Sequence, residues 1–414
     1  MSLRDYCLDK ILNIRYTTDI YFADMAANHH FTTLKQKEYI QTMNRQLVHT
    51  PEGVRDIYGD EKEIKMEVER LLHEKFLSYG YRDIQTPTFE FFDVFSKEVG
   101  TTPSKELYKF FDKEGNTLVL RPDFTPSIAR CAAKYFMDEA VPIRFCYQGN
   151  TFINTSNLQG KLKEATQMGA ELVGDASVHA DAEMIALTIE ALLHAGLHDF
   201  QVSIGNLEYF KGICAEAGLD EETELTLREL ISGKNYFGAE DLLIHKNVSL
   251  KDKELLLKTS DLFGSVEALE EAGKAVNNSR SKHAIERLEQ VYNILCDYGV
   301  EKYISFDLTM LSKYNYYTGI IFKAYTYGVG DAIVKGGRYD TLLGRFGKES
   351  PSIGFMIAVD DLLLAMNRQN ITVKGIEKRT RVTYHADNFK KALNEAKKLR
   401  ADGYYVELVQ AEGK

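Results

Sequence analysis

The chain has 414 residues, 44% hydrophobic and 27% charged, with a formal charge of −10 at pH 7. That length allows about two or three domains and a sizeable core, and the acidic balance argues against a broad nucleic-acid or anionic-membrane surface. Five widely spaced cysteines without a CxxC pair, and no run of about 18 apolar residues, lead us to expect reduced thiols and a cytoplasmic protein with no membrane segment.

Residues 1–46 carry scattered aromatics and no sustained period, and read as an N-terminal extension; Met43, just ahead of LVHTPEGVRD, offers an alternative start of translation. From Asp60, Ile64, Val68, Leu71, Leu72 and Phe76 share a helical face, Gly80 supplies the stop, and RDIQTP reads as a strand. In TLVLRPDFTPSIARCAAKYF, Leu118–Leu120 read as a strand, with Thr125 as a cap and Pro126 in the first turn of a helix.

IRFCYQG and ATQMGAELVG have strand character. In the second, Met168, Ala170 and Leu172 point one way and Gln167, Gly169 and Glu171 the other. The helix around 182–193 is apolar nearly all round, FQVSIGN is a strand, and 206–299 reads as a helical insertion. YISFDLTM, YYTGIIFKAY, GDAIVKGG and PSIGFMIAV supply further strands, and 379–414 reads as a partial strand, helix, strand unit after a linker near 369–378. Such a unit is either docked on the main domain or the remnant of a larger module.

The P-loop, GxGxxG, HExxH and GxSxG signatures are absent and the ten histidines lack metal spacing, so neither cofactor nor metal is expected. Gln167 and Glu171 are either the solvated side of a sheet or, with Gly169 clearing space between them, a site for a ligand's ammonium and ring nitrogen. Tyr316 and Tyr317, with Gly319, are either core aromatics or a second wall, one ring on each side of a strand. GGRYD, 336–340, reads as a glycine turn entering a helix, with Arg338 placed to pair an acid or a ligand carboxylate. Asp123 and Thr125 sit at a strand-to-helix junction, as turn and cap or as ligand contacts.

In order, PEGVRD, LRPDFT, QMGAELVG, YYTGIIF, GGRYD and IGFMIAVDDLL resemble the histidyl-tRNA synthetase family across about 47–368. The resemblance implies an α+β fold, a class II synthetase-like antiparallel sheet flanked by helices, with a histidine shell at Asp123, Thr125, Gln167, Glu171, Tyr316, Tyr317, Gly319, Arg338 and Tyr339. It also implies that three arginines for ATP and the transition state are replaced, by Ile153, Ser312 and Asp361, while Thr155 stands where the family places a glutamate near the adenine. Losing one charge-stabilising donor typically costs about 100- to 1000-fold in rate. The curtailed C-terminal unit resembles only the start of an anticodon-binding domain, so no tRNA is expected.

These departures resemble the regulatory subunits of ATP phosphoribosyltransferase. The resemblance implies no covalent chemistry, activation of a short catalytic subunit, feedback inhibition by L-histidine in histidine biosynthesis, and a dimer within a hetero-octamer. The alternatives are a divergent amino-acid-activating enzyme and a ligand-free interaction module.

Overall fold

The structure, a computed structural model, describes residues 48–96, 102–138, 142–155, 161–258, 263–311, 316–373 and 379–411. The expected extension over 1–46, the Met43 start and the Ser312 position lie outside the described residues. The chain divides into Met1–Asp56 and Ile57–Lys414. In the first unit, the Thr50 hydroxyl donates to the Val54 carbonyl at 3.0 Å and closes a turn.

In the second unit, α1 (Gly59–Ser78) buries Val68, Leu72 and Phe76 on one face. It ends at Gly80, whose φ of 79° lets the Gly80 and Tyr81 amides turn back to the Leu77 and Phe76 carbonyls. There follow β1 (Arg82–Asp83), β2 (Phe89–Phe91), β3 (Lys109–Phe111), β4 (Thr117–Leu120), α2 (Thr125–Tyr135), β5 (Ile143–Phe152), β6 (Glu164–Val173), α3 (Val178–His194) and β7 (Phe200–Asn206). The expected insertion holds α4 (Leu207–Glu216), α5 (Glu221–Ser232), α6 (Tyr236–His245), α7 (Leu250–Lys258), the two-residue strand β8 (Phe263–Gly264), α8 (Glu267–Ala275) and α9 (Ser279–Asp297). The body resumes with β9 (Ile304–Asp307), β10 (Ile320–Thr326), β11 (Val334–Arg338), β12 (Ser352–Ala358) and α10 (Val359–Arg368), and β13 (Arg379–Tyr384), α11 (Phe389–Ala401) and β14 (Tyr405–Gln410) complete the described chain.

Nine strands form the main sheet in the order β1-β5-β6-β12-β11-β10-β7-β9-β8. The pairing is antiparallel except for β1 with β5 and β7 with β9. Helix α3, buried nearly all round as its composition predicts, packs behind β6, β11 and β12 and fills the core with Met184, Ile185, Leu187, Ile189 and Leu192. The C-terminal βαβ unit has its own small core of Val382, Ala392 and Ala396. Its Arg379 forms an ion pair with Glu63 on α1.

Three local expectations are corrected. Thr125 is the first residue of α2 rather than its cap, because its hydroxyl is drawn away to Glu171 and Phe124 holds the cap position. The pair Tyr316 and Tyr317 precedes β10 rather than lying in it, and the rings do not straddle a strand: they tilt against each other with centroids 4.7 Å apart. GGRYD is not a turn, since Gly336, Gly337 and Arg338 are strand residues of β11. They are bare for reasons of packing: a Cβ on Gly337 would lie 2.7 Å from the Tyr317 ring, and one on Gly336 would enter the Phe322 ring.

Candidate functional site

Register partners in a sheet project to the same face. One row across the side opposite α3 reads Gly205, Ile321, Gly337, Gly354, Glu171, Phe145. The next row includes Tyr147, Gly169, Met356 and Lys335, and Gly149, Gln167 and Ala358 follow. The alternation read from QMGAELVG therefore holds, and both faces of that stretch are buried rather than solvated.

Glu171 is the centre of the site. It is 1% exposed and reaches across Gly354, where any Cβ would overlap its Oε2. The Thr125 hydroxyl donates to Oε1 at 2.8 Å, and the Tyr339 hydroxyl donates to Oε2. Burial pushes the Glu171 carboxyl up to about 8, against the pull of those two donors, and the neighbouring Asp123 carboxylate adds to the rise. Asp123 in turn accepts from the Phe124 amide at 2.6 Å and the Thr125 amide at 3.3 Å. The buried Glu171 and the half-buried Asp123 thus lie beside Tyr316, Tyr317 and Tyr339, an arrangement that favours a cationic guest.

Asp123, Thr125, Gln167, Glu171, Tyr316, Tyr317 and Tyr339 lie around this face. Arg338 does not, because strand alternation sends it to the back of the sheet. There its Nε and Nη2 donate to Asp181 Oδ1 at 2.8 and 2.5 Å, and Nη1 donates to the Asp175 carbonyl at 2.9 Å. The expected pairing with an acid is met by the protein itself, and Arg338 drops out of the proposed ligand shell. Gly319 is similarly displaced in role: a Cβ there would make ordinary contacts with Arg338 at 3.6 Å, and the glycine beneath Tyr317 is Gly337.

Sequence reasoning missed Tyr147. Its ring stacks on Phe124 with centroids 4.4 Å apart, and its hydroxyl lies 2.5 Å from where a Gly169 Cβ would be. The space cleared by Gly169 therefore holds the Tyr147 phenol. Only the pairing of β5 with β6 could have found it, and register is not legible from either strand alone. Among the described residues, the Tyr147 hydroxyl and Gln167 Oε1 are buried with no hydrogen-bond partner.

Of the positions expected to have lost arginines, 153 and 361 are among the described residues. Ile153 follows β5 and its amide donates to the Lys163 carbonyl at 2.9 Å. Asp361 lies with Asp360 in the first turn of α10, and burial pushes its carboxyl up, with Asp331 and Asp360 contributing. Asp360 pairs with Lys65 at 2.7 Å and accepts from the Thr166 amide at 2.7 Å. The Thr155 hydroxyl is buried without a partner among the described residues.

Two features lie outside this face. A cavity of about 670 Å³ on the C-terminal unit is lined by Arg379, Arg381, Arg400, Tyr404, Tyr405 and Glu407 among others. His73, Asp83 and Cys146 bring ligand atoms within 4.8 Å of one another, which sequence spacing does not reveal, although His73 and Asp83 already satisfy each other at 2.8 Å. Cys131, Cys146, Cys214 and Cys296 are unpaired, and among the described residues no helix is long and apolar enough to cross a membrane.

The histidyl-tRNA synthetase family profile matches residues 53–362. An ATP phosphoribosyltransferase regulatory subunit of Ruminiclostridium cellulolyticum is 43% identical over 365 residues, covering 88% of this chain and 87% of the relative. The protein of that name from Acetivibrio thermocellus is 42% identical over 361 residues, covering 87% and 86%. A crystal structure from Bacillus halodurans, described as an ATP phosphoribosyltransferase regulatory subunit/histidyl-tRNA synthetase, superposes with a TM-score of 0.80 at 34% identity, covering 89% of this chain and 94% of that one. The class II synthetase-like fold and the identities over most of the chain agree: this protein belongs to the family of ATP phosphoribosyltransferase regulatory subunits, built on the histidyl-tRNA synthetase fold.

Proposed function

We propose that the buried acid face around Glu171 is a sensor for L-histidine, and that its occupancy regulates a short catalytic subunit of ATP phosphoribosyltransferase bound to this chain. The observation that carries the reading is Glu171 itself. A buried carboxylate held by two hydroxyls, beside a second acid, suits the ammonium or ring N–H of an amino acid. Tyr317 over Gly337 supplies an aromatic wall for a flat ring, Gln167 a polar end, and Asp123 and Thr125 the junction at α2. Regulation requires histidine to bind one state of the complex better than the other, typically by about 1 to 3 kcal/mol.

The chain itself makes no covalent bond in this reading. Amino-acid activation, the second reading, needs cations preorganised around phosphate, and Asp361 at the head of α10 would repel it. Self-association as a dimer within a hetero-octamer also belongs to this proposal, as do a cytoplasmic setting and independence from tRNA. The exposed Phe89, Phe91 and Phe110, whose Phe89 and Phe110 rings already meet at 5.7 Å, form an apolar sheet face that a second copy of this chain would cover. Sedimentation of the chain and of a Phe91→Glu variant tests that contact.

Reconstitution tests the main reading. Adding this chain to a short catalytic subunit should raise phosphoribosyl-ATP formation, and L-histidine should lower it. No change in either direction would overturn the proposal.

A further inference from the structure

Strand β1 is an edge of the main sheet, and the tight turn at Gly80 brings it back beside the last turns of α1. Asp83 stands opposite Cys146 in the parallel pairing of β1 with β5, and the Ile84 amide donates to the Cys146 carbonyl at 2.9 Å, so the two side chains project to one face. His73 reaches the same point from α1. Its Nε2 lies 2.8 Å from Asp83 Oδ1, Cys146 Sγ lies 3.7 Å from that same oxygen, and the three ligand atoms are all within 4.8 Å of one another. His73 and Cys146 stand 10 and 63 positions from Asp83, so only the fold brings the three together. Cys146 alternates with Phe145 and Tyr147 along β5 and therefore faces the side of the sheet away from Glu171.

We propose that His73, Asp83 and Cys146 bind a thiophilic divalent cation of the zinc class, which fastens α1 to the edge of the sheet. Imidazole nitrogen, carboxylate oxygen and thiolate sulfur are zinc ligands with bonds of about 2.0 to 2.3 Å, which set tetrahedral ligand atoms about 3.3 to 3.8 Å apart. The three atoms reach those separations by shifts of about 1 Å. Charge balances as well: one carboxylate and one thiolate neutralise the ion, so no net charge is placed against the core in which Cys146 is fully buried. On binding, the Cys146 S–H bond breaks and its proton leaves to solvent, while His73 carries its hydrogen on Nδ1 and offers the Nε2 lone pair. Without the ion, thiol and imidazole converge on one carboxylate oxygen, and the cation takes over that meeting point. Asp83 is largely exposed and His73 partly so, which gives the ion a path from solvent and leaves its fourth position to water. The sulfur selects against hard cations such as Mg²⁺, which take oxygen ligands. This site is independent of the histidine reading.

The test titrates the full chain, freed of metal by chelation, and its His73→Gln, Asp83→Asn and Cys146→Ser variants with Zn²⁺, Co²⁺ and Mg²⁺. The native chain should take up one equivalent of Co²⁺ with a sulfur-to-metal charge-transfer band in the near ultraviolet, which Zn²⁺ abolishes by displacement and Mg²⁺ leaves intact. Zn²⁺ at about 100 times its dissociation constant should raise the melting temperature by a few degrees. Each variant should bind Zn²⁺ more weakly by at least about 10- to 100-fold, the loss that follows removal of even a ligand's supporting partner, and Cys146→Ser should lose the band. His73→Gln changes a partly exposed group, so it carries the test if Cys146→Ser does not fold. Absence of the band in the native chain, or its persistence in Cys146→Ser, overturns the inference. So does equal Zn²⁺ binding by the native and His73→Gln chains, which would assign the ion to another part of the sequence, such as the adjacent His29 and His30. A rise in melting temperature matched by Mg²⁺ overturns it as well.

Discussion

Arg338 and Asp181, 157 positions apart, meet in the core with Nη2 and Oδ1 2.5 Å apart, and the same carboxylate accepts from Arg287 Nε on α9 at 2.7 Å. One acid on α3 therefore ties the strand behind the site to the helical insertion. Burial pushes the Asp181 carboxyl up while the two guanidinium groups pull it down.

Removing that acid leaves Arg338, 3% exposed, with only Asp340, 3.2 Å from its Nη1, as an ion-paired counter-charge among the described residues. Asp181→Ala should lower unfolding free energy by about 3 to 5 kcal/mol, the usual cost of breaking a buried pair. Arg287→Ala, which removes the more exposed arm, should cost about 1 kcal/mol or less. Urea denaturation of the three chains measures both.

Glu171 titrates near 8 in the folded chain against 4.5 as a free side chain. The folded protein therefore holds a proton that the unfolded chain releases between those values, and stability falls as pH rises through that window. The slope attributable to this group is about 1 kcal/mol per pH unit. Denaturation midpoints across that range should fall less for Glu171→Gln than for the native chain.

Binding a cation at the same carboxylate expels its proton. Titrations with L-histidine near neutral pH, in two buffers of different ionisation enthalpy, should give different heats, corresponding to release of up to about one proton. Identical heats would remove Glu171 as the group that meets the ligand's charge.

Gly337→Ala would press a methyl group into the Tyr317 ring from 2.7 Å. Overpacking of this kind costs about 1 to 3 kcal/mol, and the strain falls on the pocket wall. L-histidine affinity should drop by about tenfold or more, measured by titration, while circular dichroism stays native.

Asp361, an acid at the head of α10, predicts a negative result that is cheap to obtain. Isotope exchange between pyrophosphate and ATP in the presence of L-histidine should not exceed the level without enzyme. Robust exchange would revive the amino-acid-activating alternative.

Much of this was legible where the signal is local. The strict alternation of Gln167, Gly169 and Glu171 gave the right face, and the helical period of Val68, Leu72 and Phe76 gave α1. The errors arose where distant residues decide. Gly336 and Gly337 look like a turn until Phe322 and Tyr317 arrive over them, and Tyr316 and Tyr317 look like strand until pairing with β7 is seen to begin at Ile320 opposite Asn206. Arg338 was misassigned for want of Asp181, and Tyr147 was overlooked for want of the β5 to β6 register. In each case the missing information was which side chain stands opposite.

The amino end of α10 has a consequence for phosphate binding. A helix begins with about half a positive charge and four unpaired amides, a natural seat for phosphate. Here that seat is occupied by the chain's own Asp360 and Asp361, and Asp360 is fastened to Lys65 and Thr166. An arginine substituted at 361 would leave Asp360 in place as a resident competitor for any phosphate, so one substitution does not clear the seat.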